Sequence, residues 1–139
     1  MTIKEDTLIL WDNDENKLWL FSVPSSEQYI YIEGKPCITL GIAYENRSFK
    51  GQDIITIFDY YLTETVKMIE NVYENLDGEF RLYDVGGDTD CYIDFKMQSS
   101  GALSISGRLG STFSSNSLTF EFKADQTVLK PLIRSLTVN

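Results

Sequence analysis

The sequence predicts an α+β fold: an antiparallel, meander-like β-sheet with one central long helix and a C-terminal helix packed on it. Three observations predict it. Short apolar stretches broken by Pro, Gly, Asn and Asp fill residues 7–44, a segment with a period of three to four residues spans 58–76, and alternating stretches return between 79 and 122 ahead of an amphipathic ending. Period-two patterning bounded by turn residues belongs to strands in hairpins, whereas apolar residues three and four apart share one face of a helix.

The elements follow in order. "TLILW" (7–11), "KLWLFSV" (17–23), "YIYIE" (29–33) and "CITLGIAY" (37–44) read as three or four antiparallel strands, separated by "DNDEN", "PSSE" and "GKP". "RSFKGQDIITIF" (47–58) is mixed and either closes a strand or opens a helix. Phe58, Leu62, Val66, Ile69, Tyr73 and Leu76 then mark one face of a helix of about five turns. Asp59, Glu64, Glu70 and Glu74 fall mainly on its other side, and Gly78 after Asp77 is a stop signal.

Beyond the helix, "EFRLYD" (79–84), "CYIDFKM" (91–97), "ALSISGRL" (102–109) and "SLTFEF" (117–122) are strands, with "GGDTD" (86–90), "QSSG" (98–101) and "GSTFSSNS" (110–117) as the turns between them. Asp125 sits where a helix N-cap belongs, and Val128, Leu129, Leu132, Ile133 and Leu136 form the apolar stripe of a terminal helix. Pro131 falls in its first turns, where a missing amide is least costly.

An apolar fraction of 42% in 139 residues is that of a folded chain rather than a disordered one, and residues 1–139 read as one domain. Twelve basic against 21 acidic residues give a formal charge of −9, which repels nucleic-acid phosphate and anionic membrane and favours a basic partner. No apolar run approaches the roughly 18 residues of a membrane-spanning helix or the shorter core of a signal peptide, so a cytoplasmic protein is expected. Cys37 and Cys91, without CxxC spacing, read as buried thiols rather than a disulfide.

The chain contains no histidine, which removes imidazole bases, Ser-His and Cys-His pairs and His-based zinc sites. Phosphate-cradling glycine loops and nucleophile elbows are missing too, so no catalytic residue, cofactor or metal site is assigned and an enzyme is not expected. The acidic clusters "DNDE" (12–15) and "DVGGDTD" (84–90) lack EF-hand spacing and read first as solvated turns, next as a surface for a basic partner. Asp84, Asp88, Asp90 and Asp94 as a carboxylate pair for glycoside hydrolysis would need a deep cleft that so small a domain has little room for. Trp11, Trp19, Tyr29 and Tyr31 offer an aromatic platform, with sheet packing as the plainer reading.

Four stretches together, "SFKG" (48–51), "YYLTETVKMIENVYENLDGEF" (60–80), "CYIDFKMQSSGALSISGRL" (91–109) and the ending "LTFEFKADQTVLKPLIRSL" (118–136), resemble a family of small bacterial immunity proteins. These are the WapI-type immunity proteins, which protect a cell against its own wall-associated, contact-dependent toxin. The resemblance covers about residues 40–137, and the first 35 residues match less well. It implies a non-enzymatic protein that binds the C-terminal domain of a cognate toxin, often a nuclease, in the cytoplasm. The charge of −9 agrees, since a nuclease carries basic surface for phosphate and carboxylates can stand in for nucleic acid. On charge alone, the candidate partner-binding residues are Asp12, Asp14 and Glu15; Glu70 and Glu74; and Asp84, Asp88 and Asp90. The alternatives are a structural or regulatory homodimer and a small-ligand or metal-binding module.

Overall fold

The computed structural model describes residues 7–87, 89–110 and 116–137. Asp88, the middle of the "GSTFSSNS" turn and the stretch "TIKED" lie outside the described residues.

The α+β class holds, and the strands divide between two antiparallel sheets. Strands β1 (Thr7–Asp12), β2 (Asn16–Phe21), β3 (Tyr29–Ile32), β4 (Lys35–Asn46) and β5 (Lys50–Phe58) make the first. Helix α1 (Asp59–Asn75) follows, and β6 (Gly78–Tyr83), β7 (Tyr92–Met97), β8 (Ala102–Gly110) and β9 (Ser117–Asp125) form the second sheet as a four-stranded meander. A 3₁₀ turn, Gln126–Val128, leads into α2 (Leu129–Leu136). The mixed segment 47–58 resolves as strand: β5 pairs along β4 from Glu45–Lys50 to Cys37–Phe58, and α1 starts directly after it. Its isoleucines at 55 and 57 are buried at strand spacing, which decides the matter against a helix start.

β4 organises the first sheet. One of its edges carries β5, while the other carries β3 at Lys35–Ile38 and β2 at Gly41–Asn46. Cross-strand pairs Leu18–Tyr44, Leu20–Ile42, Leu40–Ile55 and Ile38–Ile57 face inward. In the second sheet the inward rows are Phe80–Phe95–Ile105–Phe122 and Leu82–Ile93–Gly107–Phe120. The two inner faces meet where Tyr44 stacks on Phe120, with ring centroids 4.3 Å apart and planes 7° from parallel. Gly107 makes that contact available: a Cβ there would lie 2.5 Å from the Tyr92 carbonyl oxygen and 2.9 Å from the Phe120 ring.

Both helices complete the same core through Leu62, Val66, Ile69 and Val72 of α1 and Leu129, Leu132 and Leu136 of α2. α1 ends at Leu76, which takes the left-handed conformation (φ 50°) expected of a glycine, because its side chain packs against the core; Gly78 (φ +108°) instead opens β6. Asp125 caps as expected, accepting from the Thr127 amide at 2.9 Å, but the cap serves the 3₁₀ turn ahead of α2. Among the described residues, no helix is long and apolar enough to cross a membrane.

Candidate partner-binding surfaces

The expected acidic residues fall in three places. Asp12, Asp14 and Glu15 form the tip of the β1–β2 hairpin and are exposed, because Asn13 Oδ1 folds the turn by accepting from the amides of Glu15 (2.9 Å) and Asn16 (2.7 Å). The β4–β5 turn lies beside it, since Asn16 pairs with Asn46, and Asn46 Oδ1 folds that turn in the same way through the amides of Ser48 and Phe49. Phe49 stands 61% exposed. Together the two turns enclose a cleft of about 460 Å³ lined by Glu15, Asn16, Arg47, Phe49 and, from β9, Glu121.

Glu70 and Glu74 line a groove between α1 and α2 of about 470 Å³, opposite Lys130 and Arg134. Among the described residues none of these four forms an ion pair within 4.0 Å, and the Lys130 ammonium sits 5.2 Å from the Tyr73 ring.

The third group is built into the seam between the sheets. Asp84 accepts from the Thr56 amide (2.8 Å) and the Gly87 amide (3.1 Å), and the Val85 amide donates to Thr56 O, so this segment covers part of the outer edge of β5. Asp53, which the sequence reading passed over, accepts from Gly110 N and Thr89 Oγ1, each at 2.8 Å, and ties β5 to β8. Asp90 reaches Arg108 at 3.4 Å. Half-buried carboxylates occupied by backbone amides hold the fold, and among the described residues no acidic or thiol cluster is arranged to hold a metal ion. Cys37 and Cys91 are buried, unbridged thiols as expected. Burial pushes the Cys91 thiol far up, and the neighbouring carboxylates of Asp53 and Asp84 push it further.

A fourth surface escaped the charge-based reading. On the outer face of the first sheet, β4 carries only small residues at Cys37, Thr39, Gly41 and Ala43, and larger apolar side chains flank them. The Phe21 ring lies across Gly41, where a Cβ would meet it at 2.2 Å. Ile9, Ile30 and Ile54 are 48%, 36% and 45% exposed on this face. Trp19 sits between Lys17 and Lys50, whose ammonium groups stand 5.1 and 5.7 Å from its ring, and Lys35 stands 5.8 Å from both Phe58 and Tyr60. Trp19 of the expected aromatic platform is here, whereas Trp11 packs against the core and Tyr29 and Tyr31 project from β3. The signal was present in "KLWLF", apolar at successive positions from Leu18 to Phe21, the pattern of a strand that needs cover on both faces.

The second sheet's outer face is polar. Ser104 and Ser106 of β8 floor a trough of about 480 Å³ whose walls include Arg81, Asp94, Lys96 and Glu121. Arg81 binds Asp94 through two hydrogen bonds of 2.6 and 2.7 Å and lies 4.2 Å from the Tyr92 ring.

No protein-family model matches the chain, and neither does any curated protein. Among solved structures it is similar to the crystal structure of WHY1 from Arabidopsis thaliana, with a TM-score of 0.55 and 6% sequence identity. The match covers 94% of this chain and 78% of that one, and at such identity it shows a shared fold alone.

Proposed function

We propose that this protein is a non-enzymatic immunity protein, which binds and neutralises the C-terminal domain of a cognate contact-dependent bacterial toxin in the cytoplasm. The observation that carries the reading is the exposed Phe49, which lines the cleft between the paired hairpin turns with Glu15, Glu121 and Arg47. An aromatic anchor beside two carboxylates suits a basic protein surface: the ring supplies apolar contact and the carboxylates supply steering and charge pairing. A nuclease domain, whose basic surface serves to hold phosphate, is the toxin activity that fits this chemistry best. The resemblance of residues 40–137 to immunity proteins and the charge of −9 support the same reading.

The test is co-expression with the C-terminal domain of the toxin encoded beside this protein, scoring growth rescue and co-purification. Rescue with a stable 1:1 complex is the expected result. Phe49→Ala combined with Glu15→Gln should weaken that complex by at least roughly tenfold, since an anchor and its charged rim are removed together. A wild-type chain that neither rescues nor co-purifies overturns the reading.

A further inference from the structure

The outer face of the first sheet has a chemistry opposite to that of the hairpin tips. Three of the chain's 12 basic residues, Lys17, Lys35 and Lys50, stand on it, against Glu45 and, at its rim, Asp12. Glu45 approaches Lys50 at 4.0 Å, and among the described residues Lys17 and Lys35 have no carboxylate within that distance. Between the lysines lie the exposed isoleucines at positions 9, 30 and 54 and the ring of Trp19. An apolar patch on one sheet face, on which lysines outnumber carboxylates by three to two, has the character of a docking surface.

We infer that this face docks an apolar polypeptide segment that carries carboxylates. The isoleucines contact apolar side chains and offer nothing to a phosphate or a base edge, while the lysines, already placed over aromatic rings, select the acidic segment. The overall charge of −9 opposes every anionic partner, and nucleic acid, with a phosphate at each nucleotide, more than a short peptide carrying a few carboxylates. A second copy of this face would set lysines against lysines. The inference stands without the toxin reading, because it concerns a separate surface and the opposite charge.

A random dodecapeptide library panned against the wild-type protein, Ile54→Asp and Lys17→Glu/Lys50→Glu tests it. Wild-type protein should enrich peptides that combine Leu, Ile or Phe with Asp or Glu. Ile54→Asp should weaken those peptides by at least roughly tenfold, and the double charge reversal should turn the selection towards Lys and Arg. Should Ile54→Asp fail to fold by circular dichroism, the charge reversal decides alone. Absence of enrichment, enrichment of basic peptides by the wild type, or indifference to the charge reversal overturns the inference. So does an oligothymidine strand that displaces the peptides, or sedimentation showing a wild-type dimer that Ile54→Asp dissolves.

Discussion

The outer faces of the two sheets are built on one plan and finished differently. In each, a central strand carries small residues between larger neighbours: Thr39, Gly41 and Ala43 on β4, Ser104 and Ser106 on β8. Around the serines, the side chains satisfy one another, with Arg81 held by both oxygens of Asp94 and stacked on Tyr92. Around Gly41 the neighbours are Phe21, Trp19 and Ile54, and the cations beside them rest on a ring, with Lys50 also 4.0 Å from Glu45. A sheet face in water is complete when its polar groups find partners and its apolar area is small. The second sheet comes nearer to that condition, with Arg108 Nε on β8 buried without a hydrogen-bond partner, and its exposed apolar area is the smaller, so the first is where a partner has more to add.

Two glycines give the sharpest contrast and the largest expected effect. Each lies under a phenylalanine ring, Gly107 under Phe120 in the core and Gly41 under Phe21 on the outer face. Gly107→Ala forces a methyl against the Tyr92 carbonyl and the ring that stacks on Tyr44, so chemical denaturation should show a loss of about 2–3 kcal/mol. The three atoms nearest a Gly41→Ala methyl all belong to the half-buried Phe21 ring, which can swing towards solvent, and the gain from a stiffer unfolded chain offsets part of the cost. Its net change should stay within about 1 kcal/mol. Equal losses at the two positions would mean that the first sheet's outer face is packed like a core.

The seam between the sheets comes next. Asp84→Ala leaves the buried Thr56 amide without its acceptor and should cost roughly 1–2 kcal/mol, while Asp14→Ala on the exposed hairpin tip should stay within about 0.5 kcal/mol. Stability at this seam should also fall as pH rises past the ordinary thiol value. Cys91 holds its proton in the folded state and releases it in the unfolded one, so its contribution is intact at lower pH and is lost at a slope approaching about 1.4 kcal/mol per pH unit. Cys91→Ala should flatten that part of the alkaline profile, and an unchanged slope would place the titration elsewhere.

Most of the fold is legible in the sequence because burial writes a period into it. Leu118, Phe120 and Phe122 alternate with Thr119 and Glu121, and Leu62, Val66 and Ile69 recur at helical spacing, so both elements stand where the pattern puts them. Division of the strands into two sheets is less legible, since it depends on which edge of β4 each strand finds and not on any local pattern. The site divides in the same way. The exposure of Asp14 and Glu15 follows from a turn sequence, but the role of Asp84 depends on an amide 28 residues earlier in the chain, which charge alone does not reveal. The lysine and aromatic face was hidden because Lys17, Lys35 and Lys50 are scattered in sequence and gathered only by the register of β2, β4 and β5.

The smallest expected effect separates charges that complete a face from charges that wait for a partner. Arg81→Ala removes a two-pronged ion pair that is partly exposed, at 51% and 35% side-chain accessibility, so the loss should be at most about 1 kcal/mol and should shrink in high salt. Lys17→Ala with Lys50→Ala removes two charges whose nearest partners are one indole ring and one exposed carboxylate, and thermal stability should hardly move. Binding should respond in the opposite order: the lysine pair should lower affinity for acidic apolar peptides and Arg81→Ala should leave it intact. If Arg81→Ala weakened those peptides as much as the lysine pair did, the polar trough would be part of the docking surface, and the contrast between a finished and an unfinished face would fail.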